Sequence, residues 1–170
     1  MNLHLEIDQT LDWETVWAIV HDASVFDRVC DDHWTRKPLR ELRDIVRGIV
    51  ENPHNHALLV TDAGRPVGCF LCYAQGKGLF EIHTMLTDRC RGADAIQAGR
   101  MGTRLMLSLP DVEKLVSFCP ANMPEVYLFA RFCGWHKDGI AAAKWLKNGV
   151  EYAMRIVEAT KHDLQELPCL

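Results

Sequence analysis

The stretch that decides the fold runs from Leu79 to Ala95. It opens Leu79-Phe80-Glu81-Ile82-His83-Thr84-Met85-Leu86 and continues Thr87-Asp88-Arg89-Cys90-Arg91-Gly92-Ala93-Asp94-Ala95. The first eight residues read as a strand. Glu81, His83 and Met85 share one face, and Phe80, Ile82, Thr84 and Leu86 share the other, mostly apolar one. The second segment is a turn through glycine into a long helix, marked by Ala95, Ala98, Met101, Gly102, Leu105 and Met106 and stopped by Pro110-Asp111. Such a junction aims unpaired backbone N–H groups and the positive end of the helix dipole at one point, which suits phosphate or pyrophosphate. Arg89 and Arg91 add positive charge. The plain alternative is a strand-to-helix connection with solvated arginines.

Working outward, two more apolar runs precede this strand, Ala57 to Thr61 and Pro66 to Ala74. Asp62-Ala63-Gly64-Arg65 and Gln75-Gly76-Lys77-Gly78 separate the three runs. Three strands joined by short glycine-containing turns predict an antiparallel meander. Further upstream, Leu3, Leu5 and Ile7 alternate as a first strand. Asp12 then reads as an N-cap for one helix through Trp13, Val16, Trp17, Val20 and Ala23. Asp31 to Pro38 is a polar break, and Leu39, Leu42, Ile45, Val46 and Ile49 make a second helix ending near Asn52-Pro53. Downstream come a short buried strand from Leu115 to Cys119 and a helix from Pro124 to Cys133 closed by Gly134. A final hairpin pairs Ile140–Leu146 with Val150–Val157 around Asn148-Gly149. The order β-α-α-β-β-β-α-β-α-β-β predicts a mixed α/β fold, taken as one domain over residues 1–170, with a central sheet, an antiparallel meander and helices on both faces.

Composition narrows the function classes. The chain has 170 residues, 48% hydrophobic and 25% charged, an ordinary globular balance. A formal net charge of −4 argues against nucleic acid as the partner. No run of about 18 apolar residues is present, so no membrane span is expected. Met1 to Asp8 lacks the basic start and apolar stretch of a signal peptide. Seven scattered cysteines, an odd number mostly inside apolar runs, read as reduced thiols of a cytoplasmic protein. Cys69 and Cys72 form a C-x-x-C inside a strand, where the two thiols face opposite ways and make neither a zinc corner nor a redox pair. His54, His56 and His83 have only weak ligand spacing, and no metal is expected. Trp13 and Trp17, one helical turn apart, are expected to face the core.

The junction also resembles the GNAT superfamily of N-acetyltransferases. Arg89-Cys90-Arg91-Gly92 occupies the first four places of that family's Arg/Gln-x-x-Gly-x-Gly/Ala signature, and Leu86 stands six residues before Gly92, where the family commonly has Val. Pro120-Ala121-Asn122 followed by Phe129-Ala130-Arg131-Phe132-Cys133-Gly134-Trp135 is similar to the family's later strand-to-helix motif, which ends in Gly-Phe. Glu81-Ile82-His83-Thr84 before Arg91-Gly92-Ala93-Asp94-Ala95 resembles small acetyltransferase-like proteins encoded by bacteriophages. The likeness spans nearly the whole chain. It departs from the pattern at Asp94, where the family has Gly or Ala, and at Ala130, where many members carry a tyrosine.

The resemblance implies that acetyl-CoA, as co-substrate, lies in an opening between the strand ending at Leu86 and the parallel strand Leu115–Cys119. Leu86, Thr87, Arg89, Arg91, Gly92, Ala93, Asp94, Ala95 and Asn122 would contact it. Asp94, if it caps the helix, would not repel the pyrophosphate. A base must take the proton of the attacking amine, and Glu81, with His83 as alternative, is expected in that role. Tyr127, one turn from Ala130, is the substitute for the missing tyrosine that would protonate the leaving thiolate. The implied activity is transfer of an acetyl group to an amine. The alternatives are a phage accessory or structural protein that keeps the fold without chemistry, and transfer to a nucleic-acid base. A terminal hairpin with an open edge leaves room for a homodimer.

Overall fold

The computed structural model describes residues 3–163. Its elements in chain order are β1 Leu5–Gln9, α1 Trp13–Val20, α2 Ala23–Val29, α3 Asp32–Thr35, α4 Leu39–Val50, β2 His56–Asp62, β3 Arg65–Gly76, β4 Leu79–Leu86, α5 Ala93–Ser108, β5 Lys114–Pro120, α6 Pro124–Phe132, β6 His136–Lys147 and β7 Val150–Thr160. The strands form a seven-stranded sheet in the order β1-β2-β3-β4-β5-β7-β6. The meander β2-β3-β4 is present, with Ala63 and Gly64 both at positive φ in its first turn. The closing hairpin turns through Asn148 and Gly149 at φ 53° and 77°, the geometry a two-residue loop needs to match strand twist.

Two helices differ from the sequence expectation. The apolar spacing from Trp13 to Ala23 suggests one helix, but the chain forms two. The Asp22 carboxylate accepts the Ser24 N–H at 2.8 Å and starts α2 afresh, as Asp12 starts α1 by accepting from Thr15 at 3.1 Å. Within the expected polar break, Asp31 accepts from the Trp34 N–H at 3.0 Å and begins the single turn of α3. Local capping thus cuts a periodic apolar stripe that periodicity alone joins. The strand β6 also starts earlier than expected, at His136, because pairing with β7 carries it past Gly139 through register shifts.

Two apolar layers flank the sheet. On one face Val16, Ile19, Val25, Val46 and Val50 pack on Cys69, Leu71 and Met85, with Trp13 and Trp17 half-buried against them. Guanidinium groups of Arg43 and Arg47 stack over Trp13 at 4.9 and 5.3 Å. On the other face Ala95, Ala98, Met106, Ala130 and Cys133 pack on Phe70, Cys72, Ile82 and Leu86. Cys69 and Cys72 therefore belong to different layers, as the strand alternation predicts. The six cysteines in the described region are free and buried; Cys169 lies outside it. No helix among the described residues is long and apolar enough to cross a membrane.

The feature that positions the site is the parting of β4 and β5. They pair in parallel only through Leu79↔Lys114, Phe80↔Leu115 and Glu81↔Val116. Beyond that, β5 pairs along its whole length with β7, from Lys114↔Thr160 to Pro120↔Met154, and follows β7 away. The Ser117 hydroxyl donates to the Ile82 carbonyl at 3.0 Å just past the last ladder pair, taking up an acceptor that the parting frees. At its far end β4 is held to β3: the Thr87 N–H and hydroxyl both donate to the Val67 carbonyl, at 3.0 and 2.9 Å. At the adjoining Gly68 the strands approach so closely that a Cβ there would lie 2.8 Å from the Met85 carbonyl oxygen and 2.4 Å from Leu86 Cδ2.

Two outcomes are expected. Gly68→Ala should cost about 1–3 kcal/mol in denaturant unfolding, because backbone cannot yield as a flexible side chain can; unchanged stability would show that β4 is free to shift. The second concerns Asp32, a buried residue whose carboxylate accepts the N–H groups of Asn148 and Gly149 at 2.9 and 2.8 Å and so ties the β6–β7 turn to α3. Hydrogen bonds from Gly149 and Asn148 hold its carboxyl below the ordinary carboxylate value. Its stabilising effect is therefore full above that ordinary value and is lost as pH falls through the lowered one. Asp32→Asn should lower the melting temperature near pH 7, and the gap between variant and wild type should close in acid.

Candidate functional site

The parting opens into a cleft of about 1120 Å³. From β4 it takes Glu81 to Leu86, from β5 and its exit Ser117 to Pro120, and from the helix layers residues of α2, α5 and α6. Gly92 sits at its mouth as the N-cap of α5, with φ 60° and ψ −127° and no side chain capping the helix. A non-glycine residue is strained in that backbone conformation. The first N–H groups of a 16-residue helix thus point out at the parting of two strands, with Gly92 and Ala95 on the cleft wall. A Cβ on Gly92 would meet nothing within 4 Å, so the space beside this residue is open.

The sequence-derived contact residues divide around this mouth. Leu86, Arg91, Gly92 and Ala95 line the cleft, whereas Thr87, Arg89, Ala93, Asp94 and Asn122 stand outside its lining. Thr87 anchors the turn to β3. Arg89 turns toward Asp62, 3.9 Å away. Asp94 does not cap α5: it lies in the first turn and accepts the Leu3 N–H at 3.2 Å, so the carboxylate is used toward the N-terminal strand. Asn122 is exposed in the turn after β5. Arg91 donates to Asp88 at 2.9 and 3.1 Å and to the Ser24 carbonyl at 3.3 Å. Arg28, at the end of α2, also lines the cleft and lies 3.6 Å from the same Asp88 oxygen. Sequence reasoning misses Arg28 and Ser24, since apolar periodicity merges α2 with α1; the Asp22-Ala23-Ser24 cap is the signal that separates them.

The titratable pair of β4 is brought together. His83 Nε2 lies 2.8 Å from Glu81 Oε1, and the other carboxylate oxygen accepts the Gln75 amide at 2.9 Å. Glu81 is thereby engaged on both oxygens and its side chain is 19% exposed, while the His83 side chain is 44% exposed. Tyr73, opposite Glu81 in the β3–β4 register, sets its ring edge against His83 with centroids 4.9 Å apart. Burial, and then the Glu81 carboxylate, push the Tyr73 phenol well above its ordinary value, so it stays protonated. Tyr73 lines the cleft; Tyr127 does not, and instead packs beneath the Arg155 guanidinium, 4.9 Å from its ring centre. Ala130, buried, is on the cleft wall and brings no hydroxyl. The lining thiols of Cys30 and Cys119 are pushed up to about 11, and that of Cys133 to about 12, chiefly by burial, which leaves them inert as nucleophiles. His56, a weak metal ligand by its spacing, bonds Asp111 at 3.1 Å instead.

Near the α3–β6 contact, Trp34 and Trp145 join Tyr73 among the aromatic residues that line the cleft, and Asp31 joins Glu81 as a second carboxylate. Lys147 donates to the Asp27 and Cys30 carbonyls, both at 2.8 Å, and with Asp32 fastens the hairpin over this end.

No protein-family model matches the sequence, and no curated protein matches it. Solved structures do match the fold. The spermidine N-acetyltransferase SpeG of Vibrio cholerae, in complex with CoA and spermine, superposes with a TM-score of 0.75 at 11% identity, over 95% of this chain and 98% of that one. A chimera of the Vibrio cholerae enzyme with hSSAT gives the same TM-score, identity and coverage. A dodecameric structure of the enzyme in an intermediate state gives 0.71 at 11%, over 92% and 94%. The chain therefore has the GNAT fold expected from its sequence. These neighbours are bacterial enzymes, and the resemblance to bacteriophage proteins finds no support among them.

Gly92→Val is expected to cost about 1–3 kcal/mol of stability in denaturant unfolding, because valine is strained at the positive φ of this N-cap. Unchanged stability would show that the turn can relax to a backbone conformation open to any residue.

Proposed function

We propose that the protein is an acetyl-CoA-dependent N-acetyltransferase, one acyltransferase domain over residues 1–170, acting on a cationic aliphatic amine. The observation that carries this reading is the three-residue pairing of β4 and β5, which opens directly onto the uncapped N-terminus of α5. An extended chain fits between the strands while the phosphates of its nucleotide end reach the helix N–H groups and Arg91.

The residues of the cleft fit the chemistry in a definite way. At neutral pH an amine arrives protonated and must lose a proton before its nitrogen can attack the thioester carbonyl. His83, the more exposed member of the pair, takes that proton, and Glu81 holds the ring's orientation and tautomer, as a buried carboxylate does for a working imidazole. The N–C bond forms, the C–S bond breaks, and the departing thiolate takes up a proton. Tyr73 is the tyrosine on the cleft wall that supplies it, in place of the Tyr127 expected from sequence. Trp34, Trp145 and Tyr73 give aromatic faces and Asp31 a carboxylate, a lining suited to an aliphatic ammonium chain. The structural neighbours act on polyamines, so these are the first acceptors to screen.

A homo-oligomer belongs to the same reading. β6 is an edge strand of 12 residues with Ile140 exposed, and one structural neighbour is a dodecamer. Buried free thiols fit a cytoplasmic setting. A protein that keeps the fold without chemistry, a phage accessory protein among the candidates, is the second reading, and Ala130 in place of a tyrosine favours it. Asp94 does not, because its carboxylate is bound to Leu3.

In an acetylation assay with a polyamine or another amine found by screening, His83→Ala should lower kcat by about 10²–10⁴ with CoA affinity retained, and Glu81→Gln by a smaller factor. Both variants working at the wild-type rate would remove the base assignment. A wild type that binds no acyl-CoA would sink the enzymatic reading and leave the second one.

A further inference from the structure

The mouth of the cleft carries a charge arrangement that proton transfer at His83 does not require. Two guanidinium groups share one carboxylate oxygen: Asp88 Oδ1 lies 2.9 and 3.1 Å from Arg91 Nη2 and Nε and 3.6 Å from Arg28 Nη1. Arg28 and Arg91 come from different elements, the last turn of α2 and the turn before α5, and both line the cleft, whereas Asp88 does not. Ser24 fastens the two elements together, accepting the Asp88 N–H at its hydroxyl (3.1 Å) and Arg91 Nη2 at its carbonyl (3.3 Å). Nearby Asp22 is already engaged in capping α2, and Arg89 is turned away toward Asp62. One carboxylate oxygen thus faces two cations beside the positive end of α5, with the Asp22 carboxylate close enough to Arg91 to feel its charge.

We propose that Asp88 is a placeholder anion. It holds Arg28 and Arg91 in register while the site is empty, and a phosphate group of acyl-CoA displaces it and takes both guanidinium groups. This rests on the acyl-CoA reading above and adds two residues to it. A phosphate group offers more acceptor oxygens and more charge than one shared carboxylate oxygen, and the forked arginine donors pair with it bidentately. Asp88 gives way easily: its side chain is 66% exposed, so water receives the released carboxylate, and an exposed ion pair is worth little. Arg28 makes α2 part of the cofactor site, so cofactor binding also steadies the helix layer on the side of the sheet that carries Glu81 and His83.

Calorimetric titration of wild type, Arg28→Gln and Asp88→Asn with CoA and with dephospho-CoA at low salt tests this, with melting curves to verify that each variant is folded. Arg28→Gln should raise the Kd for CoA about tenfold, with Arg28→Lys recovering part of the loss. Asp88→Asn should lower it roughly three- to tenfold, since the competing anion is gone. A loss in Arg28→Gln seen with CoA and not with dephospho-CoA identifies the 3′-phosphate as the displacing group; an equal loss with both identifies the pyrophosphate. If wild type binds CoA and Arg28→Gln binds it equally well, or if Asp88→Asn weakens binding, the placeholder role is wrong while the acyl-CoA reading stands. If wild type binds no CoA, both fall together.

Discussion

The structure turns on a competition between two neighbours for one strand. β5 has hydrogen-bonding edges toward β4 and toward β7 and does not satisfy both along its length. It pairs with β7 over seven residues and with β4 over three. The lost ladder bonds are concentrated at the C-terminal end of β4, where Ser117 takes up the Ile82 carbonyl and Thr87 fastens the strand back onto β3. These three bonds, one from Ser117 and two from Thr87, keep a gap in the middle of a sheet from closing or fraying.

The gap sets the chemistry. A closed sheet would have buried the N-terminus of α5 against a strand edge; the open one leaves its N–H groups facing solvent at the end of a channel. The same parting exposes the β4 face that carries Glu81 and His83, so a titratable pair and the uncapped N-terminus of α5 share one strand and its exit turn. The rest of the molecule serves to hold these parts. Asp32 and Lys147 lash the terminal hairpin to the α2–α3 region, and the two apolar layers clamp the sheet from both faces.

Charge at the mouth is balanced rather than merely positive. Asp62, Asp88 and Asp22 each face an arginine or a helix end, so the arginines around Gly92 are locally paired in a chain of net charge −4. Local placement, not total charge, sets the field where phosphates would bind. Asp94 illustrates the point. By residue type it looks hostile to phosphate, but its bond to Leu3 engages the carboxylate elsewhere.

Much of the fold was legible in the chain because it rests on local rules. Alternation at Leu79–Leu86, the Asp62–Arg65 and Asn148-Gly149 turns, and the glycine before Ala93 follow from strand period, turn chemistry and helix starts, all short-range effects. The strand-to-helix junction at Gly92 and the shared face of Glu81 and His83 came from the same rules. Tertiary structure decided the rest. Where Asp94 points, that Glu81 is tied to Gln75 and His83, that Tyr73 and not Tyr127 lines the cleft, and that Arg28 joins Arg91 at Asp88 all depend on which elements the sheet order brings together. Periodicity joins α1 to α2 because a helical stripe is indifferent to one capping aspartate, whereas the folded chain is not. Contacts across tens of residues are set by packing, and no single segment encodes them.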